Sequence, residues 1–208
     1  MAYFPIFTQI EGKRCFIVGG GKVAARKVHT LLQYGADVVV TAERICREIK
    51  EVLPEENIFE GAFGNICEKE IHKAFLVIAA TSNREENHHI AELCHTYNVL
   101  VNVADSEKES SFIFPSVVRK GDISIGINSG TGSPAVSKQI RKQIEKAVPD
   151  YYADIAVFMG ELRKYVKANF IEESQRRYIL KTAAATAFSE ERVLTQKEIE
   201  EIIRQGQK

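Results

Sequence analysis

Short apolar runs alternate with amphipathic segments over the first 112 residues of the chain. Parallel strands that are covered by helices on both faces have this nearly continuous apolar character. The alternation therefore predicts an α/β domain with a Rossmann-like parallel sheet. Its strands are predicted at 15–18, 38–40, 75–80 and 100–103, with a brief additional strand at 58–59.

The segments between these runs are predicted to be helices, because apolar residues recur in them every three or four positions. One helix follows the first strand and stops at Gly35, and a second covers 44–53. A third begins at a capping box, formed either by Ser82 with Glu85 or by Asn83 with Glu86. Its buried face is predicted to contain Ile90, Ala91, Cys94 and Tyr97.

The pattern changes after residue 112. Strands at 117–118 and 123–127 flank a turn, and the second of them alternates strictly between apolar and small or polar residues. A helix is then predicted to start with Ser133 as its N-cap and Pro134 as its first residue. We therefore predict a small α+β segment over 113–149.

From residue 150 to the end, 208, only helical spacing is found. Helices are predicted at 153–170, 172–188 and 195–204, and Glu198 completes a capping box with Thr195 at the start of the last one. This part is expected to be an all-helical C-terminal domain, so the chain is divided into 1–112, 113–149 and 150–208.

Composition excludes several classes of partner. The chain has 28 basic and 28 acidic residues, so it carries no overall field that would attract nucleic acid or an anionic membrane. No apolar run approaches the roughly 18 residues that a membrane span needs. The four cysteines are scattered without a CxxC pair, and Cys15 and Cys94 fall in apolar patterns. We expect reduced thiols and a cytoplasmic protein.

The segment Gly19-x-Gly21-x-x-Ala24 lies between a predicted strand and a predicted helix, which is the setting of a dinucleotide-binding loop. The first glycine permits a tight turn, and the second lets the backbone approach a pyrophosphate. The third, small residue lets the helix pack on the strand. The helix N-terminus, at Lys22 and Val23, would then offer its free N–H groups to the phosphates.

An acidic residue after the second strand usually binds the adenosine ribose, and Glu43 lies a little beyond the usual position for it. Glu43 is either that ribose ligand or an exposed loop residue. Its neighbour Arg44 keeps NADP open as the cofactor, although NAD is favoured. A second match to the glycine pattern, Gly130 to Ala135, follows an alternating strand, and we interpret it as a turn with a minor anion nest.

Several further segments resemble the precorrin-2 dehydrogenase/ferrochelatase module of the siroheme synthase family. They are FPIF at 4–7, CFIVGGGKVAARK at 15–27, AAT at 79–81, NVAD at 102–105, SFIFPS at 111–116 and SGTGSP at 129–134. The similarity runs in order over about the first 145 residues. It implies NAD-dependent oxidation of precorrin-2 to sirohydrochlorin, followed in some members by insertion of ferrous iron. It also implies a homodimer in which 113–148 is exchanged or clasped between subunits, so that 113–149 is a dimerisation segment.

The resemblance places the family's general base on Asp105 and the family's loop serine on Ser129. Asp105 follows a buried strand, at the edge where open α/β sheets bind ligands, although it is alternatively a turn residue. The residues expected to bind the cofactor are Gly19, Gly21, Lys22, Val23, Glu43, Arg44, Ala80 and Thr81.

The tetrapyrrole substrate carries many carboxylates, so its site needs cations. Basic residues cluster after the sheet, at Arg119, Lys120, Lys138, Arg141 and Lys142. We expect Arg119 and Lys138, together with Asn128 and Ser129, to contact the substrate. Each basic residue is equally well explained as part of a solvated helix face.

The five histidines invite a metal-site interpretation, but the adjacent His88 and His89 diverge by about 100° on a helix. His88 and His95 could share a helix face with Glu92 between them. We do not expect a dedicated metal site, since iron would meet the tetrapyrrole nitrogens directly.

Three functions remain open. The chain is a dehydrogenase, a dehydrogenase that is also a chelatase, or a non-catalytic NAD-binding regulatory module. The region around Asp105, the basic helix and the helical C-terminus favour the first two over the third.

Overall fold

A computed structural model describes residues 3–61, 65–130 and 134–206, with the backbone alone for 65–67. The chain divides into two compact units, Phe4–Phe114 and Pro115 onward. The sequence-based boundary at 112 lies close to this division. The separation of the dimerisation segment from the helical domain at 149 stays a prediction.

The first unit contains a five-stranded sheet in which every neighbouring pair is parallel. Its strands are β1 (Arg14–Val18), β2 (Asp37–Ala42), β3 (Ile58–Glu60), β4 (Leu76–Ala79) and β5 (Leu100–Val103). The order is β3-β2-β1-β4-β5, so the chain builds outward from β1 on one side and then returns to its other side. This reversal between β1 and β4 creates the crevice in which open α/β sheets bind ligands.

Helices cover both faces of this sheet, as its apolar strands require. They are α1 (Lys22–Gln33), α2 (Arg47–Lys50), α3 (Asn65–Lys73) and α4 (Arg84–Thr96), with a 3-10 turn at Glu55–Asn57. Cys15 and Ile17 of β1 belong to the core under α1, whereas Phe16 and Val18 belong to the core under α4. The Rossmann-like fold predicted from the pattern is confirmed.

Several details of the first unit differ from prediction. The helix expected over 44–53 is one turn, α2, because the backbone at 44–46 runs against the loop after β1, where the Cys46 N–H donates to the Gly20 carbonyl at 2.9 Å. Tyr97 is half-buried, because it ends α4 and its hydroxyl donates to Glu68. Helix α3 was not predicted from the sequence. Of the two proposed N-caps for α4, Asn83 is the one that forms, since its side chain accepts from the Glu85 and Glu86 N–H groups. The reciprocal half of the capping box is not formed by Glu86, because the Asn83 N–H donates to the Thr81 hydroxyl at 3.1 Å.

Strand β5 lies at the edge of the sheet, and the segment that follows it binds two of its backbone N–H groups. The Ser111 and Ser110 hydroxyls accept hydrogen bonds from the Val101 and Val103 N–H groups at 2.8 and 2.9 Å. On the face under α1, the Lys27 ammonium lies 2.6 Å from the Asn102 Oδ1. Burial lowers the pKa of Lys27 to about 8. These contacts fix the segment that leaves β5, and Asp105 lies within it.

The second unit starts with an antiparallel hairpin of β6 (Ser116–Lys120) and β7 (Ile123–Ile127), which turns at Gly121 in the left-handed region. Four helices follow: α5 (Pro134–Ala147), α6 (Tyr151–Asn169), α7 (Glu173–Ser189) and α8 (Gln196–Gly206). Ser133, the predicted N-cap of α5, lies outside the described residues.

Helices α6 to α8 pack around a core that includes Ile155, Val166 and Ile179. Over 150–206 the structure has helices and no strand, as predicted. The capping box of the last helix is also confirmed, since the Thr195 N–H donates to Glu198 at 2.7 Å. Within the described part of the chain, no helix is long and apolar enough to cross a membrane.

Candidate functional site

The carboxyl ends of four neighbouring strands bring most of the expected site residues of the first unit to one edge. In the strand register, Val18 of β1 lies beside Thr41 of β2 and Ala79 of β4, and Ala79 lies beside Val103 of β5. The residues that directly follow these strands are Glu43 and Arg44, the loop Gly19 to Gly21, Ala80 and Thr81, and Ala104 and Asp105. Parallel strands thus collect residues that are far apart in sequence.

Gly19 and Gly20 are required by close backbone approaches. Gly19 has a φ of +134°, and a Cβ there would lie 2.3 Å from the Ala80 carbonyl oxygen. A Cβ on Gly20 would lie 2.0 Å from the Arg44 carbonyl oxygen. Real Cβ atoms do not approach carbonyl oxygens so closely, so the loop after β1 is held between the loops after β4 and β2. Gly20 is one of the variable positions of the GxGxxA pattern, which is why sequence reasoning missed it.

Gly21 has a different environment. Its backbone is extended, and a Cβ built on it would meet nothing within 4 Å. It is the N-cap of α1, and its carbonyl accepts the helical hydrogen bond from the Ala25 N–H at 3.0 Å. The N–H groups of Lys22, Val23 and Ala24 therefore have no carbonyl acceptor within the helix, and they point outward at its N-terminus. Open space beside such amides suits a phosphate.

Glu43 and Arg44 directly follow β2, and both are exposed. Their loop is held by Glu60 at the end of β3, which accepts from the Ile45 N–H at 3.1 Å and pairs with Lys50 at 2.9 Å. The hydrogen bond from Lys50 and that from Ile45 lower the pKa of Glu60. Glu60 was not identified from the sequence, since β3 is only three residues long.

Asp105 lies at the same edge with 46% of its side chain exposed. Its Oδ1 accepts a hydrogen bond from Asn87 Nδ2 at 3.2 Å, and its Oδ2 is 3.9 Å from Arg84 Nη1. The turn that carries it is closed by Ser110, whose hydroxyl donates to the Ser106 carbonyl at 2.8 Å. The carboxylate is therefore both accessible and oriented.

Asn87 also contacts Thr81, in the loop after β4. Its Oδ1 accepts from the Thr81 N–H at 3.1 Å and from the Thr81 hydroxyl at 2.9 Å, and its Nδ2 donates to the Thr81 carbonyl at 3.2 Å. Sequence reasoning missed this residue. The available signal was its spacing, because Asn87 precedes Ile90, Ala91 and Cys94 on the buried stripe of α4, where an apolar residue is expected.

The residues expected to bind substrate belong to the second unit. Asn128 follows β7 and its Oδ1 accepts from the Gly130 N–H at 2.9 Å. The Ser129 hydroxyl lies 2.6 Å from that of Ser137 on α5, so the loop is tied to the helix. Lys138 is exposed on α5, and the Arg119 Nε donates to the Gly121 carbonyl at 3.1 Å. Of the second glycine motif, Thr131 and Gly132 lie outside the described residues.

Two histidines of α4 bind the loop that follows Asp105. The His88 ring nitrogen Nδ1 is 2.8 Å from Glu109 Oε1, and the His95 Nε2 is 3.1 Å from the Glu109 carbonyl oxygen. The His88 contact is the main reason that the pKa of Glu109 is lowered. Among the residues with described side chains, no group of three or more His, Cys, Asp or Glu could hold a metal ion.

This fold and sheet edge define a dinucleotide-binding protein, and the chain belongs to the family described as "Putative NAD(P)-binding", whose model matches residues 6–116. Membership of this family assigns a nicotinamide cofactor to the chain.

Curated relatives give a narrower similarity. The chain is 37% identical over 194 residues to the siroheme synthase of Nitrosospira multiformis, and the aligned region covers 91% of this chain and 41% of that protein. It is 38% identical over 169 residues to the siroheme synthase of Psychromonas ingrahamii, and this aligned region covers 80% of this chain and 35% of that protein. The chain thus spans about two fifths of the length of these relatives.

A solved structure titled SirC, precorrin-2 dehydrogenase, matches with a TM-score of 0.72 over 99% of both chains. This match shows a shared fold and nothing more, because the two sequences are only 20% identical.

Alanine at Gly20 and at Gly21 should separate packing from ligand binding. We expect Gly20→Ala to lower the free energy of unfolding by about 1–3 kcal/mol, because its methyl group meets the Arg44 backbone. Gly21→Ala should unfold like the wild type and bind NAD about tenfold or more weakly, because its methyl group occupies the space of the pyrophosphate. Thermal unfolding and calorimetric NAD titration measure the two effects. Equal NAD affinity in Gly21→Ala and wild type would contradict the assignment of the loop.

Proposed function

We propose that the chain is an NAD-dependent precorrin-2 dehydrogenase, which oxidises precorrin-2 to sirohydrochlorin in siroheme biosynthesis. The observation that carries this proposal is the juxtaposition at one sheet edge of an anion-binding helix N-terminus, at Gly21, and an oriented, accessible carboxylate, Asp105. The similarity to siroheme synthases supplies the substrate class. The three described free cysteines, Cys15, Cys46 and Cys94, suit a reducing cytoplasm, where we expect the protein to act.

Different residues at the sheet edge are assigned cofactor binding and proton acceptance in the proposed oxidation. When bound, NAD would supply the hydride acceptor, and the N–H groups of Lys22 and Val23 would hold its pyrophosphate. Ala80 and Thr81 follow β4, between the loop after β1 and β5, so they would contact the nicotinamide half. Asp105 accepts the proton that leaves the tetrapyrrole as hydride is transferred, which is the role of a general base. The same carboxylate could remove pyrrole protons if ferrous iron were inserted afterwards.

The preference for NAD is assigned to Glu43. Its exposed carboxylate follows β2, where it can accept hydrogen bonds from the adenosine ribose. A carboxylate there also repels the 2′-phosphate of NADP. The exposed Arg44 side chain would instead favour that phosphate, so the choice between the two cofactors depends on Glu43.

Binding of the substrate's carboxylates is assigned to residues of the second unit. Arg119 and Lys138 are exposed cations, and Asn128 and Ser129 directly follow β7. The Ser129–Ser137 hydrogen bond presets that loop against α5.

A homodimer is part of the proposal. Helix α5 has apolar residues at helical spacing, Val136, Ile140 and Ile144, and none of its described side chains is buried. The hairpin beside it has only two strands, and isolated two-stranded sheets are marginally stable. A second copy that clasps 113–148 would cover both.

The base assignment is tested with precorrin-2 and NAD under anaerobic conditions, followed by absorbance. Asp105→Ala should lower kcat by about 10²–10⁴-fold while NAD affinity is kept, because the proton acceptor is lost. Glu85→Ala removes an exposed carboxylate from the same end of α4 and should be fully active. Ferrous iron added after oxidation tests chelation. Undiminished turnover in Asp105→Ala would remove this residue as the base, and NAD binding without turnover in the wild type would support a regulatory module instead.

The cofactor preference is tested by Glu43→Ser. The ratio of kcat/KM for NAD to that for NADP should fall about tenfold or more, because a charged hydrogen bond to the ribose and a repulsion are both lost. Glu55→Ser, at an exposed position beyond this loop, serves as the control. An unchanged ratio would show that Glu43 does not select the cofactor.

The dimer is tested by sedimentation equilibrium. The wild type should have twice the mass of one chain, and Val136→Glu, at a residue that is 47% exposed, should shift it to the monomer. Val52→Glu places the same charge on an exposed apolar residue of the other unit and should leave the mass unchanged. A monomeric wild type at micromolar concentration would contradict the dimer.

A further inference from the structure

We propose that Asn87 is a positioning residue, which holds the Asp105 carboxylate at a fixed place relative to the loop after β4. The proposal rests on the proposed dehydrogenase function, because it assigns Asn87 a role in that reaction. It does not make Asn87 a catalytic residue, since the amide acts through Asp105 and Thr81.

Asn87 is an unusual residue for its position, because it is a polar side chain on the buried face of α4. It is 1% exposed and is one of three buried polar residues in the described part of the chain, with Thr41 and Asn102. An amide that is removed from water costs free energy unless its hydrogen bonds are satisfied. An apolar residue at this position of α4 would avoid that cost, so the amide indicates a requirement other than packing.

The hydrogen bonds of Asn87 account for all four of its bonding sites. Its oxygen accepts from the N–H and the hydroxyl of Thr81, and its two N–H groups donate to the Thr81 carbonyl and to Asp105 Oδ1. The Thr81 hydroxyl also lies 3.0 Å from the Asn83 carbonyl, but the Thr81 N–H can only donate, so it fixes which way the Asn87 amide is turned. Its N–H₂ group must therefore face Asp105, and it offers that carboxylate a donor.

The Asn87 side chain also bridges the two segments that follow β4 and β5, beyond the last backbone pairing of these strands. The pairing of β4 with β5 continues past the strand ends as the hydrogen bond from the Ala104 N–H to the Ala79 carbonyl, at 2.8 Å. Beyond this hydrogen bond, Thr81 and Asp105 are joined through Asn87. The distance between the expected nicotinamide contact and the expected base is therefore set by the backbone pairing together with one buried amide.

A direct substitution and a matched control test the role. Asn87→Asp keeps the size and the acceptor for Thr81 but removes both donors and places a second carboxylate beside Asp105. We expect kcat to fall about 10–100-fold with NAD affinity within about threefold of wild type, because a misplaced base slows the chemical step. Asn83→Ala removes the N-cap of the same helix without removing the Asp105 contact, and its kcat should equal that of the wild type.

Reversal of the donor and the acceptor tests the contact itself. Asn87→Asp should lower Tm, and addition of Asp105→Asn should recover part of that loss, because the new amide at 105 can donate to the new carboxylate at 87. Turnover should stay lost in the double variant, since the base is absent.

The outcomes are distinguishable. If Asn87→Asp turned over like the wild type, or if Asn83→Ala lost as much kcat, the positioning role would be overturned. If the double variant recovered no Tm, the Asn87–Asp105 contact would be overturned. A wild type that binds NAD without oxidising precorrin-2 would overturn the proposed function and the role of Asn87 in it, while the Tm comparison would still decide the contact.

Discussion

The loop after β1 passes closer to two neighbouring carbonyl groups than a residue with a side chain allows. Gly19 lies against the Ala80 carbonyl and Gly20 against the Arg44 carbonyl, so the loop is enclosed by backbone on both sides. This crowding fixes where α1 begins. Because α1 begins there, its N-terminal N–H groups lie just beyond the carboxyl end of β1, next to the point where the strand order reverses, and Gly21 has open space beside it. The proposed binding of a dinucleotide at this edge depends on that arrangement.

A second constraint connects the loop after β4, where we propose that the nicotinamide binds, to Asp105, the proposed base. Backbone pairing aligns β4 with β5, and the Asn87 amide extends this alignment to Thr81 and Asp105. Ser110 and the Glu109 contacts to α4 hold the loop that follows Asp105. The Asp105 carboxylate can therefore be partly exposed, as the proposed base for a large substrate must be, and still keep a defined orientation. Rigid support beneath an accessible group is how a site gains order without being closed.

The fold could be predicted from the sequence because its signals are local and strong. Four of the five strands of the sheet are apolar runs, and Asn83, Gly35 and Thr195 mark helix ends by their own chemistry. The short α2 was overestimated because its apolar spacing gives no sign that residues 44–46 pack against Gly20. Helix α3 was missed between a weak strand and the next apolar run.

The candidate site was predictable only where one residue carries the signal. Gly19, Gly21 and Asp105 stand in recognisable motifs after strands. Gly20, Glu60 and Asn87 act through partners that are 24, 15 and 18 residues away in the sequence (Arg44, Ile45 and Asp105), and no local pattern records such pairs. For Asn87 the one available sign was a polar residue on an otherwise apolar helix stripe. A buried amide at such a position is a useful pointer to a functional contact.

The most direct test of this account is a crystal structure of the protein with NAD. It should show the pyrophosphate within hydrogen-bond distance of the Lys22 and Val23 N–H groups, in front of Gly21, with the nicotinamide beside Thr81 on the side of Asp105. A pyrophosphate bound away from the loop after β1, or a nicotinamide directed toward β2 and β3, would contradict it.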